Sequence, residues 1–181
     1  MVFPTDTLYG LGADVLSIPA LERIFTIKGR PAEISLPLLV SCWDQLGTVT
    51  SHTPEAARRL AQRFWPGPLT LVLPKAERLP DRVTGGKNTV AVRMPDHPVA
   101  LEIIRRLDRP ITGTSANRSG HQDLLDYDAV KAELGKDVDY IVQSGPQPKG
   151  TPSTVIDLTT EIPTLLRQGA LPMDEILLEI R

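Results

Sequence analysis

Two short blocks near the amino terminus bring hydroxyls, a carboxylate, glycines and cations close together in the sequence. The run PTDTLYGLG occupies residues 4–12, directly after a short apolar strand, and KGRP follows at residues 28–31, about one helix later. Glycine has no Cβ, so the backbone can approach a ligand closely. Arg30 can hold phosphate in a two-pronged geometry and Lys28 as a point charge. The pattern predicts a pocket for a small anionic molecule or a nucleotide, although a tight β–α turn before a solvated helix end would use the same residue types.

Further blocks place polar groups at strand ends. Residues 114–120 read TSANRSG, and the segments 153–157 and 165–169 also set polar side chains beside apolar strand residues. Ordinary turns would also explain the first of these, since Asn and Ser favour turns. Arg93 interrupts the apolar run VAVRMP, and a buried strand arginine is usually paired, so an ion pair is the alternative to a binding role. The run WPGPLT at 65–70 is typical of a rigid helix-to-strand connection.

The composition is that of an ordinary globular protein and argues against several other classes of protein. The 181 residues predict one domain, since chains divide mainly beyond about 250 residues. A formal net charge of −2 argues against a protein coated in nucleic acid, while a local basic patch is compatible with it. Cys42 is the single cysteine and the three histidines are far apart, so neither a disulfide nor a Cys or His metal site is expected. Without a signal peptide or an apolar run near the ~18 residues of a membrane span, we expect a cytoplasmic protein with no membrane partner.

Helix and strand patterns alternate along the chain. Apolar spacing and capping patterns predict helices over 18–27, 54–64, 97–107 (with Asp96 as its cap), 127–134 and 173–180. Strands are predicted over 1–4, 36–40, 69–73, 89–94, 110–114, 138–142, 154–158 and 164–167. The alternation favours a single twisted α/β sheet with helices on its faces, and strands that follow one another directly favour a mixed sheet. Ligand crevices in such sheets lie beyond the carboxyl ends of the strands, where most of the polar motifs stand.

Seven blocks together resemble one family, the YrdC-type threonylcarbamoyl-AMP synthases. In the family's order they are PTDTLYGLG (4–12), KGRP (28–31), WPGPLT (65–70), VAVRMPDHP (90–98), TSANRSG (114–120), STVIDL (153–158) and LLRQG (165–169). Any one block is weak, but seven in order over nearly the whole chain are specific. The resemblance implies an α/β fold (α+β in some schemes), a YrdC/RibB-like twisted mixed sheet flanked by helices with a concave basic pocket. It also implies one such domain over residues 1–181, in the short form without an extra C-terminal domain.

The resemblance further implies the activity of an L-threonylcarbamoyladenylate synthase, a nucleotidyltransferase. Such an enzyme condenses L-threonine, bicarbonate and ATP into threonylcarbamoyl-AMP and pyrophosphate. A separate downstream transferase then uses the product for threonylcarbamoyladenosine modification of tRNA. Magnesium is expected to arrive with ATP, without a dedicated metal ligand in the protein. Weak binding of tRNA is also expected.

The resemblance assigns roles to nine residues of this sequence. Lys28 and Arg30 would be the catalytic cations that face the ATP phosphates. Contacts to threonine would come from Thr5, Arg93 and Ser153, and further contacts to the nucleotide from Thr89, Ser115, Asn117 and Arg167. A threonine carbamate must attack the α-phosphorus of another anion, so fixed cations and pre-positioning suit this chemistry.

Two departures from the family pattern leave alternatives open. The family usually has a helix and a fuller first strand before the PTDT block, so we expect part of the usual amino-terminal region to be missing. Ile34 and Ser35 stand where the family commonly has a basic or polar residue and a proline. The alternatives are an RNA-binding module or inactive truncated domain, and a carbamoyl-adenylate-forming domain related to hydrogenase maturation factors.

Overall fold

The computed structural model describes residues 1–31 and 33–180, whose nine strands form two sheets. The larger sheet has the strand order β6-β3-β5-β4-β8-β9, and the smaller has the order β1-β2-β7. The strands are β1 (Val2–Pro4), β2 (Tyr9–Leu11), β3 (Leu38–Leu39), β4 (Leu69–Pro74), β5 (Thr89–Arg93), β6 (Ile111–Thr112), β7 (Thr114–Ser115), β8 (Thr154–Asp157) and β9 (Thr164–Arg167). The small sheet differs from the predicted single sheet, because the glycine-containing segment after the PTDT turn pairs as β2.

The larger sheet is mixed. β3 pairs with β5 and β4 with β8 in parallel, while β4–β5, β3–β6 and β8–β9 are antiparallel. The predicted mixed α/β sheet flanked by helices is therefore confirmed.

The prediction of a strand over 138–142 is wrong. Among the described residues this run forms only an isolated bridge, between Ile141 and Val2 of β1. β1 ends at Pro4, which has no N–H with which to extend a ladder. The apolar residues of the run pack against the core instead, as Val142 does.

Seven helices are present in the described part of the chain. They are α1 (Ile18–Lys28), α2 (Trp43–Val49), α3 (Glu55–Phe64), α4 (Asp81–Thr84), α5 (Pro98–Leu107), α6 (Tyr127–Leu134) and α7 (Met173–Ile180). The sequence analysis missed α2 and α4, which are too short to show a helical period. It also placed the cap of α5 at Asp96, whereas the structure places it at His97. In the described residues, no helix combines the length and the apolar character needed to cross a membrane.

The two faces of the larger sheet have different roles because alternate strand residues point to opposite sides. Leu71, Leu73 and Val92 are fully buried and belong to the main core, together with residues of α1, α3 and α7. The alternate residues on the opposite face, such as Thr70 and Ala91, border a cavity. The sheet thus separates an aliphatic core from a polar site.

The end of α1 determines where the KGRP block lies. Gly29 caps the helix in the left-handed conformation with φ of 61°, and the N–H of Arg30 donates to Phe25 O at 3.3 Å. Glycine adopts this conformation without the strain that a Cβ imposes. The chain therefore changes direction at Gly29. The side chain of Lys28 is buried as part of the last turn of α1, whereas Arg30 lies beyond the end of the helix.

Leu71→Ala tests the core face of the sheet. We expect a loss of about 2–5 kcal/mol in the free energy of unfolding, since a fully buried leucine is removed from a packed interior. Leu178→Ala is the matched control, because that leucine is 71% exposed and its loss should cost less than about 0.5 kcal/mol. Urea denaturation measures both, and equal losses would contradict this description of the core.

Candidate functional site

A cavity of about 610 Å³ lies between the polar face of the larger sheet and the smaller sheet. Its floor is formed by alternate residues of four neighbouring strands: Leu39, Thr70, Val72, Ala91, Arg93 and Val155. The register supports this arrangement, since these residues pair across strands as Leu39–Arg93, Val72–Ala91 and Thr70–Val155. The cavity extends over a sheet face, rather than lying only beyond the carboxyl ends of strands as the sequence predicted.

A second cavity, of about 580 Å³, has a mainly apolar lining that includes Met1, Ile24 and Leu107. None of the nine residues predicted for the site lines it. The polar cavity is therefore the candidate site, because it combines arginines and hydroxyls in one concave space.

A buried ion pair joins the floor of the cavity to the 5–7 turn. Arg93 and Asp6 are only 6% and 8% exposed, and the Arg93 guanidinium donates to Asp6 Oδ1. Arg93 Nε also donates to Gly67 O at 2.9 Å, and the N–H of Asp96 donates to Asp6 Oδ1 at 3.1 Å. The pair thus connects three separate segments of the chain, and Arg93 both forms an ion pair and lines the cavity.

The same guanidinium orders a chain of hydroxyl groups. Arg93 Nη1 donates to Thr7 Oγ1 at 2.7 Å, Thr7 Oγ1 lies 3.1 Å from Thr5 Oγ1, and Thr5 Oγ1 donates to Leu8 O at 2.7 Å. Arginine only donates and a carbonyl only accepts, so Thr7 donates to Thr5 in this chain. Thr5 Oγ1 also accepts from the N–H groups of Thr7 and Leu8, each at 3.2 Å, so this hydroxyl is held within the turn at the wall of the cavity.

Lys28 lies behind the cavity wall and holds the 115–117 segment. Its Nζ donates to Ser115 O at 2.6 Å, Asn117 O at 2.8 Å and Asn117 Oδ1 at 2.9 Å, while Ser115 Oγ donates to Asn117 Oδ1 at 2.7 Å. Three acceptors thus match the three donors of an ammonium group. Burial and, to a lesser extent, nearby Arg30 lower the pKa of Lys28, Asp123 and Glu133 oppose the shift, and the resulting pKa is about 8.

Arg30 lines the cavity with unused hydrogen-bonding capacity. Its Nε and Nη2 are buried and have no hydrogen-bond partner among the described residues. The guanidinium carbon lies 6.0 Å from the centre of the Phe25 ring, and Arg82 stacks on the same ring at 4.1 Å. Burial lowers the pKa of Arg30 from its usual value, yet an arginine stays protonated at neutral pH. Such a fixed, unpaired guanidinium at a cavity wall suits a carboxylate or phosphate ligand.

The far wall combines an arginine with two hydroxyls. Arg167 Nε and Nη2 donate to Ser153 O at 3.0 and 2.9 Å, and Nη2 also donates to Ser153 Oγ at 3.0 Å. Ser153 Oγ lies 2.7 Å from Thr70 Oγ1. Burial lowers the pKa of Arg167, whereas Asp123 raises it. The cavity therefore has guanidinium groups on more than one side.

The structure brings most of the predicted site residues together. Six of the nine line the cavity: Thr5, Arg30, Arg93, Ser115, Ser153 and Arg167. Lys28 and Asn117 lie directly behind Ser115, whereas Thr89 is at the distant end of β5 and does not line the cavity. The specific roles of these residues in binding or catalysis stay predictions.

Sequence reasoning missed several residues of the cavity wall, among them Thr7, Tyr9, Thr70 and Asp123. Thr7 and Tyr9 stand within the PTDT block, so their proximity to Thr5 was the available signal. Thr70 ends the WPGPLT run, whose sequence is typical of a rigid helix-to-strand connection and so gives no signal of a site residue. Asp123 carried no signal, since only the folded loop brings this carboxylate to the cavity.

The fold and site define an α/β protein with a cavity lined by Arg30, Arg93 and Arg167, and comparison with known proteins gives the family. The family model Sua5_yciO_yrdC, described as "Telomere recombination", matches residues 1–169. A threonylcarbamoyl-AMP synthase of Pyrococcus abyssi (strain GE5 / Orsay) is 48% identical over 176 residues, which cover 97% of this chain and 52% of the relative. The Bacillus subtilis (strain 168) threonylcarbamoyl-AMP synthase is 43% identical over 177 residues, covering 97% of this chain and 51% of the relative.

A solved structure gives the same result. The crystal structure of P. abyssi Sua5 complexed with L-threonine has a TM-score of 0.93 and 46% identity, covering 99% of this chain and 54% of that one. This chain belongs to the Sua5/YciO/YrdC family. It spans about half the length of these curated relatives.

Asp6→Asn tests the buried ion pair. We expect the free energy of unfolding to fall by roughly 3–5 kcal/mol, because Arg93 would stay buried without a counter-charge. Glu102→Gln removes a carboxylate that pairs with two exposed arginines on α5, and should cost less than about 1 kcal/mol. Denaturant unfolding at neutral pH compares the two, and a small loss in Asp6→Asn would show that the pair does not organise the floor.

Lys28 gives a pH-dependent prediction. Its pKa of about 8 lies below the 10.5 of an unperturbed lysine, so the unfolded chain binds this proton more tightly than the folded protein. The stability of the native protein relative to Lys28→Met should therefore increase as pH rises from about 8 towards 10.5. Thermal or urea unfolding of both proteins across this range measures the difference, and parallel curves would contradict a lowered pKa.

Proposed function

We propose that this chain forms threonylcarbamoyl-AMP from L-threonine, bicarbonate and ATP, with release of pyrophosphate. The single observation that carries the proposal is Arg30, whose buried Nε and Nη2 lack hydrogen-bond partners among the described residues and which lines a cavity with two more arginines. Family membership and the names of the two relatives support it, as does the L-threonine complex described for P. abyssi Sua5.

The residues around the cavity suit this reaction. The amino nitrogen of threonine would first form an N–C bond with the carbon of bicarbonate, with loss of water, giving a carbamate. A carbamate oxygen would then bond to the α-phosphorus of ATP as the bond to the pyrophosphate oxygen breaks. Arg30 and Arg167 would neutralise the phosphates, while Thr5, Arg93 and Ser153 would orient the threonine. Pre-positioning of two anions and fixed positive charge lower such a barrier without an acid–base pair.

Magnesium would enter as part of the ATP substrate, held mainly by phosphate oxygens and water. Within the described residues, no group of three or more His, Cys, Asp or Glu side chains could hold a metal ion. Asp123 is the carboxylate that lines the cavity and could contact a magnesium-bound water. The product would pass to a separate transferase that modifies tRNA, which would place the protein in the cytoplasm.

Pyrophosphate release from ATP tests the proposal, with L-threonine and bicarbonate each present or omitted. We expect release only when both are present. Arg30→Met should lower kcat/KM for ATP about 100-fold or more, since hydrogen bonds to charged groups contribute about 1.5–3 kcal/mol each. Arg58→Met removes an exposed arginine on α3 and should change the rate less than about twofold.

The other outcomes distinguish the alternatives. Release that needs bicarbonate but not threonine would favour a carbamoyl-adenylate-forming domain. Salt-sensitive RNA binding without ATP turnover would favour an RNA-binding module. A folded protein that binds ATP but releases no pyrophosphate would be an inactive domain, and the proposed synthase activity would be wrong.

A further inference from the structure

Residues 143–152 form a connection that leads directly into the wall of the cavity. The segment has no helix or strand and is mostly exposed, yet it ends at Pro152 and Ser153, which line the cavity. Fixing the backbone of one residue costs roughly 1–2 kcal/mol of conformational entropy, so a segment of this kind needs specific anchors.

Two anchors come from the 5–7 turn. The N–H of Gly150 donates to Thr7 O at 2.9 Å, and the N–H of Lys149 donates to Asp6 O at 3.3 Å. Both acceptors belong to the turn that the Asp6–Arg93 ion pair fixes. The carboxyl-terminal part of the segment is therefore tied to the floor of the site.

The third anchor is His97, which caps α5. The side chain is buried, with 2% of the residue exposed, and Nε2 lies 3.0 Å from Pro146 O. Because a carbonyl only accepts hydrogen bonds, Nε2 carries the proton and donates. Nδ1 is buried without a hydrogen-bond partner in the described part of the chain. The hydrogen bond of this ring is therefore the one from Nε2 to Pro146 O, within residues 143–152.

Gly145 shows how closely the segment packs on the imidazole. Its φ is +108°, which residues with a Cβ rarely adopt. A Cβ there would lie 2.8 Å from His97 Cε1 and 2.9 Å from Val99 Cγ2. The backbone thus lies directly against the ring, and glycine is required for two independent reasons.

His97 does not line the cavity, but it follows Arg93 by four residues, and the intervening Asp96 N–H donates to Asp6 Oδ1. We propose that His97 is a positioning residue, which holds 143–152 against the 5–7 turn and thereby keeps Ser153 in the threonine-binding wall. The identity of the ligand rests on the proposed function, whereas the contact between His97 and the segment does not.

Hydrogen–deuterium exchange of the full chain tests the contact with His97→Leu and His97→Gln. The amide nitrogen of glutamine reaches the position of Nε2 and keeps the donor. Exchange over 143–152 should be about fivefold faster in His97→Leu, a factor that corresponds to one lost hydrogen bond, and near the native rate in His97→Gln. Peptides from β5 should exchange equally in all three proteins.

Kinetics test the positioning role. In His97→Leu the KM for L-threonine should rise about tenfold and the KM for ATP clearly less, because Ser153 would contact the threonine directly but the ATP phosphates only through Arg167. His97→Gln should restore the KM for L-threonine. Equal increases in both KM values would indicate a general structural defect and overturn the proposal.

Gly145→Ala keeps the imidazole and tests the same contact if His97→Leu fails to fold. Gly86→Ala is its matched control, since Gly86 also has a positive φ of +78° but nothing within 4 Å of an added Cβ. Faster exchange over 143–152 in Gly145→Ala alone supports the proposal, and native exchange there overturns it. If the native protein releases no pyrophosphate from the three substrates, the proposed function fails, and exchange alone decides the role of His97.

Discussion

The buried pair of Asp6 and Arg93 is the interaction on which the site depends. It joins the end of β5, the 5–7 turn and the connection that contains Gly67, none of which is adjacent in sequence. Two charges in an interior of low dielectric are tolerable only when each satisfies the other, and the pair here also has further hydrogen bonds. Removing either charge would leave the other buried and unpaired, so the floor of the cavity and the hydroxyl chain to Thr5 form as one unit.

The two cations of the KGRP block have different roles. Lys28 uses its ammonium to hold Ser115 and Asn117, so its charge organises the wall from behind. Arg30 lies beyond the left-handed Gly29 and keeps two buried nitrogens without partners among the described residues. The difference follows from the left-handed conformation of Gly29, after which Arg30 lines the cavity while Lys28 stays behind its wall.

Much of the fold could be predicted from pattern alone. The buried run from Leu69 to Leu73 and the amphipathic α3 have local causes, and the structure agrees with each prediction. The short helix α2 and the missing strand at 138–142 could not be predicted. Whether these segments form a helix or a strand depends on the parts of the protein that lie beside them. Pro4 ends the β-ladder that the apolar residues of 138–142 would otherwise join.

Residue types such as Arg30, Arg93 and Ser153 are recognisable within their blocks, so the kinds of side chain that line the cavity can be read from the chain alone. Which of these groups have hydrogen-bond partners depends on the folded arrangement. Hydrogen-bond partners such as Asp6 for Arg93, and Ser115 for Lys28, lie 87 residues away along the chain. Local patterns carry no information on such pairings, since they arise only when the two sheets enclose the cavity and water is removed from between them.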